Sequence, residues 1–339
     1  MILGHGDDIF SYEGIKHNFS SNIMSRMHLD ALYEHLYQSM PLIGSYPEPD
    51  ARSLTDLWAR SMGIPADSLC VTNGATEAIY LIAQVYRESR STIFVPTFSE
   101  YADACRLNAH QTIEVCSTTE LRVGKGELCW LCNPNNPTGQ VFDHDWLVGL
   151  ITSNPDCLFI VDQSYAPYTL AKVIDATWAV CQPNVLILHS MTKQFGIPGL
   201  RIGGVSGHPR LIGRLRRSRM PWTVNTLAVE AGKYLLTNCD TCRIPVAELI
   251  AERRRVASAF ESTRQIDSWP SDTHMLLSRL HTGQAKSLKR YLATEKGILI
   301  RDASNFSGLD ARCFRIAVQR PTENNLLIET IREWILCTC

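Results

Sequence analysis

Lys193 closes the run Ser190-Met191-Thr192-Lys193, and Arg201 follows eight residues later in PGLRIGG. A lysine amine can link covalently to a carbonyl, while a neighbouring hydroxyl and guanidinium suit an anion. Three more clusters precede this one. Asn73-Gly74-Ala75-Thr76-Glu77 follows an apolar run and opens a helical pattern. Backbone N–H groups and the helix dipole favour an anion at such a place, although Thr76 as a plain N-cap is the simpler alternative. Asn133-Pro134-Asn135-Asn136-Pro137-Thr138-Gly139 is dense in turn formers, which makes a rigid loop able to aim its Asn side chains. Asp162-Gln163-Ser164-Tyr165 sets an acid at the end of an apolar run, where it is costly unless it meets a cation or a donor.

Pyridoxal 5′-phosphate (PLP) meets all of these demands together and is the cofactor the sequence predicts. Its aldehyde takes Lys193. Its pyridine nitrogen, a better electron sink when protonated, takes Asp162. Its phenolic oxygen takes donors from Asn136 and Tyr165. Its phosphate takes Gly74, Ala75, Thr76, Ser190, Thr192 and Arg201. Tyr101, opening the helical pattern after VPTFSE, is placed to stack on the ring face. Lys193, Asp162 and Tyr165 are therefore the expected catalytic groups. Duller readings exist for single residues: Tyr101 as core, Asn136 as turn former, Ser190 as cap. All would have to hold at once and in this order, which favours the common explanation. No metal is expected. The two C-x-x-C pairs, Cys129/Cys132 and Cys239/Cys242, could form a zinc site in principle. The first lies in ELCWLC, however, where strand alternation aims its two side chains to opposite faces.

The elements that must position these groups alternate along the chain. Short apolar runs at 68–74, 91–96, 112–117, 127–132, 157–162, 185–190 and 202–207 are bounded by Gly, Pro, Asn or Asp. They read as buried strands of an α/β sheet covered by helices such as ATEAIYLIAQVYRES and SEYADACRLNA. In open α/β sheets ligands sit beyond the carboxyl ends of the strands, and the polar clusters fall there. After about residue 245 a charged helical stretch leads to strand candidates at 274–280, 297–303 and 313–319, then to a helix from Thr322 to about Leu336. This second part reads as a smaller α+β unit.

At 339 residues, more than one domain is expected. A formal charge of −1 gives no whole-molecule field toward nucleic acid or anionic membrane, and neither is an expected partner. The opening MILGHGDDIF has an Asp pair where a signal peptide would be apolar, and no stretch is long enough to span a bilayer. A cytoplasmic enzyme is expected, with its cysteines mostly small buried hydrophobes.

NPNNPTG, SMTK and GLRIGG, in this order and spacing, resemble the fold-type I, class I/II aminotransferase family of PLP enzymes over nearly the whole chain. The resemblance implies a PLP-dependent transferase fold of type I: a large domain with a mixed seven-stranded sheet plus a small α+β domain. It places an N-terminal arm (1–30) with the small domain (241–339) and the PLP-binding domain at 31–240. It also implies a homodimer with sites at the subunit interface. Ser45-Tyr46-Pro47-Glu48-Pro49 looks like the family's YPEP segment, so Tyr46 is expected to reach the partner's cofactor phosphate. Within the family, GHGDDI, NFSSNI, IPGLR, MPWTVN and ILIRDASNFSGLD resemble the L-threonine-O-3-phosphate decarboxylases of the cobalamin pathway. Histidinol-phosphate aminotransferases, which use 2-oxoglutarate and glutamate, are the alternative. Either way the substrate is a small phosphorylated amino compound. By the same resemblance Arg315 grips its carboxylate, while His5, Gly6, Asn22 and Arg301 line the site near its phosphate. Arg315 lies within apolar FRIAV, which independently calls for a buried partner. Arg301 reads equally well as a surface strand arginine. Asp7 and Gln163 depart from the decarboxylase pattern. Proteins of this fold also include PLP-sensing regulators, but this chain keeps Asp162, Tyr165 and the carboxylate arginine, so turnover is expected.

Overall fold

The computed structural model describes residues 8–24, 29–238 and 244–338. His5, Gly6 and the Cys239/Cys242 pair lie outside the described residues. In chain order the strands are β1 (His17–Asn18), β2 (Leu69–Thr72), β3 (Arg90–Phe94), β4 (Gln111–Val115), β5 (Leu128–Cys132), β6 (Leu158–Asp162), β7 (Val185–Ser190) and β8 (Gly203–Gly207). The C-terminal part adds β9 (Ile266–Ser268), β10 (Met275–Leu280), β11 (Ile298–Leu299), β12 (Arg301–Asp302) and β13 (Cys313–Ala317).

The seven apolar runs become β2 to β8, which form one mixed sheet in the order β2-β8-β7-β6-β5-β3-β4. β8 runs antiparallel to both neighbours, β2 and β7. The pairs among β3, β4, β5, β6 and β7 are parallel. Strands covered by helices on both faces bury every side chain, and β5, β6 and β8 are buried at all positions. Alternation then divides β5. Leu128, Trp130 and Cys132 enter the core on one face, while Cys129 and Leu131 enter the core on the other. The first C-x-x-C pair is thus split across the sheet, as its period of two requires.

Residues past 245 form a four-stranded antiparallel sheet, β12-β13-β10-β9, backed by helices Val246–Glu261 and Pro321–Thr338. The run at 297–303, expected as a single strand, is in fact two. Ile298 and Leu299 pair parallel with His17 and Asn18, and Arg301 and Asp302 then pair antiparallel with β13. The chain changes sheet at fully buried Ile300 because each half serves a different partner strand. Phe19 joins the same C-terminal core, and its carbonyl accepts from Ala317 N–H at 2.9 Å. The beginning of the chain is thereby held beside its end. Among the described residues, no helix is long and apolar enough to cross a membrane.

Candidate active site

β2, β5, β6 and β7 all end on one side of the sheet, because β8 reverses direction twice over. Their exits line a cavity of about 580 Å³. The lining includes Ala75, Thr76, Tyr101, Asn136, Asp162, Tyr165, Ser190, Thr192, Lys193 and Arg201, and also Asn22, Arg301 and Arg315. The sequence separates these residues by almost three hundred positions, and the fold brings them into one wall.

The helix Gly74–Val85 starts directly at the cavity. Its first N–H groups have no intrahelical acceptor, and the dipole favours an anion there. Gly74 has φ +79°, and a Cβ on it would come within 2.5 Å of Arg201 Nη2. A Cβ on Gly203 would collide with Ala75 N and the Gly74 carbonyl carbon. Arg201 itself sits at φ 58°, a left-handed conformation for a non-glycine residue. Glycines thus leave space for a guanidinium folded over a helix N-terminus, which is a cradle for phosphate. Ser190 lines the same wall. Thr192 does so too, but its hydroxyl donates to the Ile202 carbonyl at 3.3 Å, so as a phosphate donor it is already occupied.

Asp162 is buried, and its carboxylate accepts from Tyr101 Oη (2.7 Å) and Ser164 N–H (2.8 Å). Burial raises its pKa, while the Ser164 and Tyr101 donors and the Lys193 charge pull it down. A cation facing this carboxylate would remove the largest penalty. Tyr101, expected to stack on a cofactor ring, has its hydroxyl on Asp162 and its ring stacked on Trp130, centroids 5.7 Å apart. It therefore orients the acid as well as lining the cavity. Tyr165 is buried, and burial raises its hydroxyl pKa, so it remains a donor. Asn136 Oδ1 accepts from Arg315 Nη1. Arginine only donates, so this contact fixes the amide orientation and leaves Asn136 Nδ2 as a donor. Lys193 Nζ donates to Asn22 Oδ1 at 2.7 Å and lies 5.8 Å from the Tyr165 ring centroid. The donor set, the cradle and the buried acid fit PLP. With PLP bound, Lys193 would hold the aldehyde, Asp162 the ring nitrogen, and Asn136 Nδ2 and Tyr165 the phenolic oxygen.

The substrate side holds two arginines. Arg315 is 2% exposed and its Nη2 donates to the Ser20 carbonyl at 2.5 Å. Arg301 is 7% exposed, donates to Asn305 Oδ1 at 2.8 Å, and lies 5.3 Å over the Phe306 ring. It faces the cavity, so the surface alternative fails. Asn22 is next to Lys193 itself. Tyr46 is not in this cavity. It is 87% exposed and lines a smaller depression with Leu42, Pro47 and Val229.

Sequence reasoning missed several lining residues: Ser20, Tyr80, Glu100, Cys132, Asn305 and Phe306. Asn305 and Phe306 stand in the same ILIRDASNFSGLD run as Arg301, and Ser20 in NFSSNI, so the motifs contained them. Glu100 and Tyr80, joined by a 2.7 Å hydrogen bond, carry no signal beyond proximity to Tyr101 and Thr76.

The comparisons agree with this geometry. The family described as "Aminotransferase class I and II" matches residues 15–331. The solved structure of L-threonine-O-3-phosphate decarboxylase from Porphyromonas gingivalis superposes with a TM-score of 0.92 at 36% identity, covering 94% of this chain and 99% of that one. Threonine-phosphate decarboxylase from Salmonella typhimurium is 28% identical over 93% of this chain and 90% of its own. Histidinol-phosphate aminotransferase from Roseiflexus castenholzii is 31% identical over 85% of this chain and 80% of its own. Fold, cofactor cradle and family match coincide: the chain belongs to the class I and II aminotransferase family and is a PLP-dependent enzyme.

Proposed function

We propose that the enzyme removes carbon dioxide from an O-phosphorylated amino acid, with L-threonine-O-3-phosphate the foremost substrate. The observation that carries this reading is the register Arg301↔Arg315 between β12 and β13. Directly opposed residues project to the same face of a sheet, and like charges so placed destabilise it. Both side chains are buried and both line the cavity. Besides a cofactor phosphate at Arg201, such a site calls for a second, multiply charged anion. A phosphate at Arg301 and a carboxylate at Arg315 supply it.

PLP, when bound, draws electrons from the Cα of an amino substrate. The rest falls to the chain. Asp162 keeps the ring nitrogen protonated, and Tyr165 and Asn136 Nδ2 hold the phenolic oxygen. Arg315 and Arg301 grip the two anionic ends, and their spacing turns one Cα bond perpendicular to the ring. Lys193 Nζ would hold the cofactor aldehyde in the resting enzyme and, once freed, would return a proton to Cα. The division into an arm (1–30), a large domain (31–240) and a small domain (241–339) belongs to this reading, supported by the pairing of β1 with β11. So does a homodimer in which Tyr46 serves the partner's site. Its support is the exposure of Leu42 and Tyr46, which line one depression, and of Trp222, whose ring centroid stands 5.6 Å from that of Tyr46.

The histidinol-phosphate relative favours a second reading, an aminotransferase. Enzyme is incubated with threonine phosphate, and separately with histidinol phosphate plus 2-oxoglutarate. Carbon dioxide and aminopropanol phosphate from the first support decarboxylation; glutamate from the second, with neither product from the first, refutes it. Each charge-assisted contact to the substrate phosphate is worth about 1.5–3 kcal/mol, so unphosphorylated threonine should lose roughly 10- to 100-fold in kcat/KM per contact.

A further inference from the structure

We infer that His274 and Tyr168 form a positioning pair that ties the N-terminal segment to the Lys193 turn and so sets the acceptor that Lys193 meets. The inference rests on the reading of Lys193 as the cofactor-linked residue. Neither residue lines the cavity, and neither belongs to a motif that pointed to PLP.

His274 is fully buried at the entrance to β10, and its ring stacks on Tyr168 with centroids 4.0 Å apart and planes 23° apart. Its Nε2 lies 3.3 Å from the Asn22 main-chain carbonyl. A carbonyl only accepts, so Nε2 carries the proton and Nδ1 is bare. Nδ1 has no hydrogen-bond partner. Burial, with Arg315 and Lys193 adding positive charge nearby, pushes the imidazole down to about 3, so the ring is neutral wherever the enzyme works. It is a fixed donor and not a proton carrier. Tyr168 is the other half. Its hydroxyl donates to the Lys193 carbonyl at 2.9 Å and accepts from Met24 N–H at 3.1 Å.

The stacked pair therefore holds the main chain at Asn22 and Met24 with one hand and the main chain at Lys193 with the other. Between these anchors the Asn22 side chain accepts from Lys193 Nζ at 2.7 Å. When a substrate amine displaces Lys193 from the cofactor, the freed amine must stay within reach of Cα to move a proton. Asn22 Oδ1 is the acceptor that keeps it at one wall of the cavity. The position of that acceptor is set by the Nε2–H bond to its own carbonyl. A 1 Å error in placing a reacting group costs orders of magnitude in rate, so this anchor should weigh on chemistry more than on substrate binding.

The test uses the PLP-loaded enzyme and three variants. His274→Phe keeps a stacking ring and removes the donor, His274→Gln keeps a donor, and Tyr168→Phe removes only the hydroxyl. Amide exchange over residues 18–24 should quicken about tenfold in both Phe variants, the equivalent of one lost hydrogen bond. With threonine phosphate, kcat per bound PLP should fall about tenfold in His274→Phe with KM within about twofold, and His274→Gln should recover most of it. Unchanged exchange at 18–24, or wild-type kcat per bound PLP in a folded His274→Phe enzyme, overturns the inference. If His274→Phe does not fold, Tyr168→Phe decides it by the same two readouts. Borohydride labelling separates the two levels. Label on another lysine overturns the site assignment and the positioning role with it, whereas label on Lys193 with unchanged variants overturns the positioning role alone. If threonine phosphate is not turned over, the exchange result stands as the deciding measurement.

Discussion

Replacing Asp162 by asparagine should move cofactor affinity and protein stability in opposite directions. With PLP bound as proposed, the carboxylate would face a protonated ring nitrogen. Removing one partner of a buried pair costs about 3–5 kcal/mol, so PLP should bind roughly 10²- to 10⁴-fold more weakly. In the cofactor-free protein the same carboxylate is 5% exposed, and burial is the largest influence on it, raising its pKa above 3.8. The amide can still accept from Ser164 N–H and donate to the Tyr101 oxygen, so the two hydrogen bonds have a route to survive. The sign follows from linkage. As pH rises past 3.8, the unfolded carboxylate ionises first, and the folded state falls behind until its own raised pKa is passed. Cofactor-free wild type therefore loses stability relative to Asp162→Asn as pH rises through that window, and the deficit is complete above it. Thermal melts of both proteins between about pH 4 and pH 8, with and without PLP, measure this against the ordinary carboxylate range. An Asp162→Asn protein that holds PLP as tightly as wild type would refute the pairing. A wild-type advantage that grows with pH in the cofactor-free melts would refute the electrostatic argument.

Borohydride treatment of the yellow enzyme should bleach its visible band and leave the label on Lys193, and Lys193→Ala should lose turnover even where it still binds PLP. Gly203→Ala should cost about 1–3 kcal/mol of stability and most of the PLP retention, because its Cβ meets Ala75 N and the Gly74 carbonyl carbon; calorimetry and cofactor release by gel filtration read both. If Tyr46 acts across a dimer, mixing Lys193→Ala with Tyr46→Phe protein should restore intact sites, each built from a Lys193 of one parent and a Tyr46 of the other. Mixed dimers with no more activity than the parents would refute a role for Tyr46 in the partner's site.

Most of the large sheet was legible because β2, β5, β6 and β8 are buried at every position, whereas β4, at the sheet edge, is mostly exposed. A strand with no solvent side reads as an unbroken apolar run, and all seven runs from 68 to 207 fell where β2 to β8 stand. The polar residues that line the cavity were legible for a related reason. Polar groups at the ends of such runs have no structural excuse, and Asp162, Ser190 and Lys193 needed a common chemical explanation. Thr192 and Tyr101 show the limit of that logic. Their types suit PLP, but their hydroxyls go to the Ile202 carbonyl and to Asp162, and nothing in a residue type reveals which neighbour takes its proton.

Register was the information the sequence withheld. Arg301 and Arg315 are fourteen positions apart, each in a run whose apolar neighbours announce burial. Burial fixes that a guanidinium needs partners; it does not say that the two needs are shared. Only the antiparallel pairing of β12 with β13 sets one arginine across from the other, and that pairing in turn depends on the break at Ile300, where the chain leaves β1 for β13. A continuous strand over 297–303 would have committed all of these residues to one partner and one sheet. The sheet change frees Ile298 and Leu299 to hold the N-terminal segment that carries Ser20 and Asn22, while Arg301 turns to the cavity beside Arg315. The same local rearrangement therefore delivers the arm that meets Lys193 and a second buried cation, Arg301, of the kind the proposed phosphorylated substrate would need. His274 was hidden by the same lack. In HMLLSRL it reads as a polar residue opening a strand, and its bond to the Asn22 carbonyl exists only because the beginning of the chain has been drawn in beside β11.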